Sequence, residues 1–167
     1  MGKVQILAVL TMDGCLSSEL YDKAHQDLCL DRCGLDEIRK KALYRVTPDY
    51  SISMLHEWRK DCTNIRYLAE ATPDTADYIN GLLRMHAVDE IILYTVPFIS
   101  GSGRHFFKSA LPEQHWTLSS LKSYPNGVCR IIYILDKKQD SQNVRQAYIS
   151  IFRNRINVPI TNNLSRR

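Results

Sequence analysis

The chain has 167 residues, of which 44% are apolar and 24% charged, with a net charge of +4. That is the composition of an ordinary globular protein of one-domain length, large enough to bury a core without disulfide or metal staples. No apolar run approaches the roughly 20 residues that cross a bilayer. Through Gln139 there are 17 basic and 17 acidic residues, so the charge excess lies from Asp140 onward and the body carries no nucleic-acid footprint.

The cysteines stand at 15, 29, 33, 62 and 129, odd in number and scattered. Cys29 and Cys33 are four apart, with no second pair to complete a zinc site, and the histidines form no metal-binding pattern. Reduced thiols in a cytoplasmic protein without a metal are expected.

Val4–Leu10, VQILAVL, apolar but for Gln5, is a strand of the buried type. It meets the turn signal Asp13-Gly14 rather than a small-residue cleavage site, so it reads as a strand and not a signal peptide. Ser17 or Ser18 caps a helix over LYDKAHQDLCLDRC, with apolar residues at 20, 24, 28 and 29, and Gly34 ends it. His25, near that apolar face, reads as a solvated or packed histidine. A second helical piece, LDEIRKKAL, leads to a short strand at Ala42–Val46 and the turn Thr47-Pro48-Asp49. Ser51 then caps the helix SISMLHEWRKDC. Asn64–Ala69 is the next strand, ending at Glu70-Ala71-Thr72-Pro73. Thr72 caps the helix PDTADYINGLLRMHA, with Pro73 at its first position.

Val88–Phe107 is the most informative stretch. It runs from the acidic pair Asp89-Glu90 through IILYTV to Pro97 and Gly101-Ser102-Gly103. The apolar run predicts a strand in the middle of an α/β sheet, and Pro97, with no N–H to donate, ends it. The glycines permit positive φ or a close approach. Trp116–Leu118 and Val128–Leu135 form an antiparallel pair joined through Tyr124–Gly127, whose Asn-Gly is a hairpin signal. Past Gln139 the chain is polar, then carries NVRQAYISIFRNRI with Val144, Ala147, Tyr148, Ile151 and Phe152 on one face. The expected division is a domain over 1–139 and a basic extension over 140–167.

The order of Asp-Glu, apolar strand, proline, Gly-x-Gly and Phe-Phe at 88–107 resembles the closing segment of the dihydrofolate reductase-like fold. It is most similar to the reductase domain of bacterial riboflavin biosynthesis (RibD C-terminal type). The first strand with Asp13-Gly14, and Glu70 with Pro73, extend the resemblance over roughly Val4–Leu135. It implies an α/β protein with a mostly parallel central sheet, flanking helices and an antiparallel C-terminal hairpin. It also implies a homodimeric, NADPH-dependent reductase of a pyrimidine- or pterin-like small molecule, with no nucleic-acid or membrane partner.

In that family Asp13 and Glu70 would anchor the substrate or manage its proton. The first strand, at Ala8, and the Gly101–Gly103 loop would flank the cofactor. Thr47, Pro48 and Ser51 would receive its adenosine phosphate side, and Ala71 and Thr72 its pyrophosphate. The chain departs from the pattern in several places. Cys15 stands where a Lys or Arg follows the glycine, and Leu7 where a lysine is common. The strand and Gly-x-x-Thr loop that cover the phosphates have no counterpart, and Gly-Gly has become Ala71-Thr72. Two Cβ atoms thus stand where a phosphate should meet bare backbone, and a left-handed angle there would be strained. Weakened cofactor binding is expected. The alternative is a non-catalytic member acting as a ligand-binding or dimeric interaction module.

Overall fold

The computed structural model describes residues 1–16, 28–61, 63–108 and 110–136. The chain divides into two units, Met1–Leu135 and Asp136–Arg167, and every element described here belongs to the first. The start of the expected helix over 20–33, Ser17, Ser18, His25, Cys62 and the amphipathic piece from Asn143 lie outside the described residues.

The longest apolar run becomes the structural centre. β1 (Lys3–Leu10) is followed by β2 (Cys15–Leu16), a 3-10 turn (Leu30–Cys33), α1 (Leu35–Lys41) and β3 (Tyr44–Arg45). Then come α2 (Ile52–Asp61), β4 (Arg66–Ala71), α3 (Ala76–Arg84) and β5 (Glu90–Thr95). β6 (Arg104–His105), β7 (Trp116–Ser123) and β8 (Cys129–Leu135) complete the unit. The main sheet has six strands in the order β3-β4-β1-β5-β8-β7, and β2 pairs with β6 in a small second sheet. β3, β4, β1 and β5 run parallel, while β8 is antiparallel to both β5 and β7. This is the mostly parallel sheet with a closing hairpin that the sequence implies.

Alternate residues of β1 serve two cores. Val4, Ile6, Ala8 and Leu10 join Ile79 and Leu82 of α3 and Leu55 of α2. Leu7 faces the other way, with Leu30, Cys33 and Leu35 below it and Leu68 and Ile92 beside it. Burial on both faces is why the run lacks polar alternation.

At the amino end of the parallel strands, Asp89 fastens the sheet to α2. Its carboxylate accepts the Val4 N–H at 2.9 Å and pairs with the Arg59 guanidinium. Arg59 also donates to the carbonyls of Ala87 at 2.8 Å and Gly2 at 3.3 Å. The acidic pair before β5 therefore contains a buried structural anchor.

Several expectations change. No helix runs through Cys29 to Gly34 as expected, because Cys29 takes φ 46 and Leu30–Cys33 form a 3-10 turn. β4 starts at Arg66 rather than Asn64, since Asn64 adopts φ 66 in a turn. Pro73 lies in the turn ahead of α3 and not at its first position. β7 extends to Ser123, beyond the expected Leu118, with a register shift between Leu118 and Ser120. The hairpin does close through Tyr124–Gly127 as expected: Tyr124 N–H reaches the Val128 carbonyl, and Gly127 N–H the Tyr124 carbonyl, each at 2.9 Å.

Candidate functional site

In an open sheet of this kind, ligands bind beyond the carboxyl ends of the parallel strands, where the strand order reverses. β1 lies at that reversal, between β4 and β5. The loops that gather there contain Asp13 after β1, Thr47–Ser51 after β3, Thr72–Thr75 after β4 and Pro97–Gly103 after β5.

Asp13 ties two of these loops together. Its carboxylate accepts the Thr11 hydroxyl and the N–H groups of Ser100 at 3.2 Å and Gly101 at 3.0 Å. These donors, the Thr11 hydroxyl foremost, hold its pKa at about 2. Gly101 takes φ 63, which presents its N–H to Asp13. Gly103 serves close approach: a Cβ there would meet the Leu16 carbonyl at 3.1 Å, across the β2–β6 pairing. Cys15 lies beneath, with its sulfur 3.7 Å from Asp13 Oδ2 and 3.8 Å from His105 Nδ1. Burial, reinforced by the Asp13 charge, pushes this thiol up.

Glu70 is the penultimate residue of β4 and is paired in register with Leu7. Arg39 of α1 clamps its carboxylate, with Nε 3.2 Å from Oε1 and Nη2 3.0 Å from Oε2. Arg45 of β3 stands 3.9 Å from Oε1. The site therefore holds a fork-bound carboxylate between two guanidinium groups. Arg39 was not singled out from the sequence, although a signal existed. It stands four residues after the fully buried Leu35 and so shares its helix face.

On the side where phosphates would lie, the hydroxyls already have partners. Thr47 donates to Asp49 Oδ2 at 3.0 Å. Ser51 caps α2 as expected, accepting the Met54 N–H at 3.2 Å. The expected Thr72 cap of α3 gives way to a reciprocal pair in the turn ahead of the helix, whose N-cap position is Thr75: Thr72 Oγ1 accepts the Thr75 N–H at 3.2 Å, and Thr75 Oγ1 accepts the Thr72 N–H at 2.9 Å. Neither Ala71 nor Thr72 has positive φ, so the strain expected from the lost glycines does not arise. Ala8 and Ala71 are register partners buried in the core. Pro48 lies in the exposed turn beside Asp49.

Carboxylates also crowd this side. Asp77 in the first turn of α3 is paired with Arg104 and Lys108, which hold its carboxyl below the usual range, Lys108 most strongly. Arg104 reaches on to the Pro73 carbonyl at 2.6 Å. Asp74 beside α3 and Asp49 beside α2 repel a phosphate where helix N–H groups would attract it. These residues do not fit the phosphates of NADPH. Among the described residues, no cluster of three His, Cys, Asp or Glu could hold a metal ion, and no helix is long and apolar enough to cross a membrane.

No protein-family model and no curated protein matches the chain. Among solved structures, it is similar to a protein described as a riboflavin biosynthesis protein from Shewanella sp. PV-4. The identity is 10% and the TM-score 0.50, over 81% of this chain and 99% of that one. It is also similar to RibD of Acinetobacter baumannii, at 12% identity and a TM-score of 0.52 over 82% of this chain. The match spans 59% of that longer protein. The carboxyl-edge site is thus built on a dihydrofolate reductase-like fold, the architecture of these riboflavin-biosynthesis proteins.

Proposed function

We propose that the chain is a non-catalytic, ligand-binding protein on a reductase-type fold, retaining a polar carboxyl-edge cleft while lacking the cofactor's phosphate sites. The observation that carries this reading is the state of the Thr47–Ser51 and Thr72–Thr75 loops. Their hydroxyls are committed to Asp49, to the cap of α2 and to the reciprocal Thr72–Thr75 pair, and Asp49 and Asp74 flank the helix starts. Glu70, clamped by Arg39, supports retention of a polar recognition site on the substrate side. We place the protein in the cytoplasm, where its thiols would stay reduced, and assign it a homodimeric state by its resemblance to riboflavin reductases. Calorimetric titration tests the central claim: NADPH at millimolar concentration should give no saturable heat. Micromolar binding would overturn it.

The position of Glu70 beside β1, near the Asp13 loop, favours one other reading. In that reading the chain is an NADPH-dependent reductase of a pyrimidine- or pterin-like substrate in riboflavin biosynthesis. Bound NADPH would supply hydride, while Glu70 or Asp13 would hold the substrate or its proton. Micromolar NADPH binding would restore this reading.

A further inference from the structure

The amino end of the parallel strands, opposite the edge that holds Asp13 and Glu70, has a concavity of its own. Met1, Lys3, Asn64, Ile65 and Arg66 line a cavity of about 220 Å³ there. Clefts that enclose a whole organic ligand run to roughly 300–1,000 Å³, so this one suits a compact group. The turn before β4 forms one wall, where Asn64 takes φ 66 and the Ile65 carbonyl accepts the Lys3 N–H at 2.8 Å.

Lys3 and Arg66 are register partners on adjacent parallel strands. Their side chains therefore leave the same face of the sheet, one strand spacing of about 4.8 Å apart. Like charges placed directly opposite one another destabilise a sheet. Both residues are exposed, and among the described residues no carboxylate lies within 4.0 Å of either cation. Asp89, also at this end, is neutralised by Arg59. Glu90 stands opposite Gln5, on the far side of β1 from Arg66. Charges on an edge strand guard against pairing with other chains, but β1 and β4 both lie inside the sheet. Two unneutralised cations thus meet at a cavity whose other lining side chains, Met1, Asn64 and Ile65, carry no charge.

We propose that this cavity binds a phosphate group, as the free ion or as the ester of a small molecule, between the Arg66 guanidinium and the Lys3 ammonium. The arginine fork matches two phosphate oxygens, and the lysine acts as a point charge beside them. Two cations answer the roughly 1.5–2 negative charges of a phosphate monoester at neutral pH, whereas a carboxylate offers one. Asn64 adds a neutral amide donor to the lining, and Met1 and Ile65 add apolar contact for an ester's organic part. The site is separate from the carboxyl-edge cleft and does not depend on the reading given for that cleft.

The test is titration of the full chain with inorganic phosphate, phenyl phosphate and acetate at constant ionic strength, followed by calorimetry and by amide resonances. Saturable binding of phosphate, tighter than that of acetate, is expected, with the Lys3, Ile65 and Arg66 amides shifting and the Gly101 amide unmoved. Arg66→Gln and Lys3→Gln, each at an exposed position, should each weaken it about tenfold. Arg66→Lys, which keeps the charge but loses the fork, should weaken it less than Arg66→Gln. Tighter binding of phenyl phosphate would assign the cavity to an ester, and tighter binding of inorganic phosphate to the free ion. No saturable binding to the wild type, acetate binding as tight as phosphate, or binding that both glutamine variants leave unchanged overturns the proposal. NADPH binding lost in the glutamine variants would belong to this cavity. NADPH binding that survives them would overturn only the reading of the carboxyl edge, so the two failures are separable.

Discussion

Replacing Asp89 by asparagine would remove one charge from an otherwise sealed pair while leaving an oxygen to accept the Val4 N–H. Its partner Arg59 is 5% exposed at the side chain and Asp89 8%, so water cannot take over the lost interaction. The guanidinium would keep its bonds to Ala87 and Gly2 but would be a buried charge without a counter-charge. Breaking a buried pair from one side costs about 3–5 kcal/mol. Against a typical total stability of about 5–15 kcal/mol, that is a large share. Urea unfolding followed by far-UV circular dichroism should therefore show the midpoint falling steeply, with the slope unchanged. Arg59→Met combined with Asp89→Asn should recover part of the loss, because no unpaired charge then remains. A loss below about 1 kcal/mol for Asp89→Asn alone would place the pair with solvated surface bridges. The anchoring role argued for it would then be refuted.

Two smaller perturbations probe the loops. Thr72→Ala removes half of the reciprocal Thr72–Thr75 pair ahead of α3 and should cost about 0.5–1.5 kcal/mol in denaturant unfolding; an undetectable change would mean that the pair contributes nothing. Asp13 has a folded-state pKa lowered to about 2, so its stabilising contribution is present above its ordinary pKa and is lost as pH falls through the folded value. The amide proton resonances of Ser100 and Gly101 should accordingly titrate with a midpoint near that depressed value. A midpoint in the ordinary carboxylate range would show that the loop-to-loop bonds do not hold in solution.

The parallel strands were legible because burial on both faces leaves a run of apolar residues, as at Ile6–Leu10 and Ile91–Tyr94. Helix caps were legible where a hydroxyl acts locally, as Ser51 does. β7 was underestimated because it lies at the sheet edge, and its Ser119, Ser120 and Lys122 carry no apolar period. The pairing of β2 with β6 left no pattern, since two-residue strands depend on a distant partner. Within the site, Asp13, Glu70 and the two glycines were visible as residue types in turn and strand-end contexts. What they bind was not visible, because Arg39 and the Ser100 amide meet them only through the tertiary fold. The left-handed turn at Cys29 was hidden because cysteine gives no turn signal, unlike Gly34.

The placement of β1 has a consequence for synthesis. The strand that fills the middle of the sheet leaves the ribosome before either of its partners, since Lys3 pairs with Arg66 and Gln5 with Glu90. Chains emerge at about 5–20 residues per second, so the apolar segment VQILAVL must wait several seconds for either neighbour. During that interval it is an unpaired strand with both edges open, the kind of segment that pairs with other chains. Distant pairing also slows folding once the chain is complete, because loop closure precedes any gain in contact energy. Nascent β1 is thus a segment in need of chaperone protection, and its exposure ends only when β5 has cleared the exit tunnel.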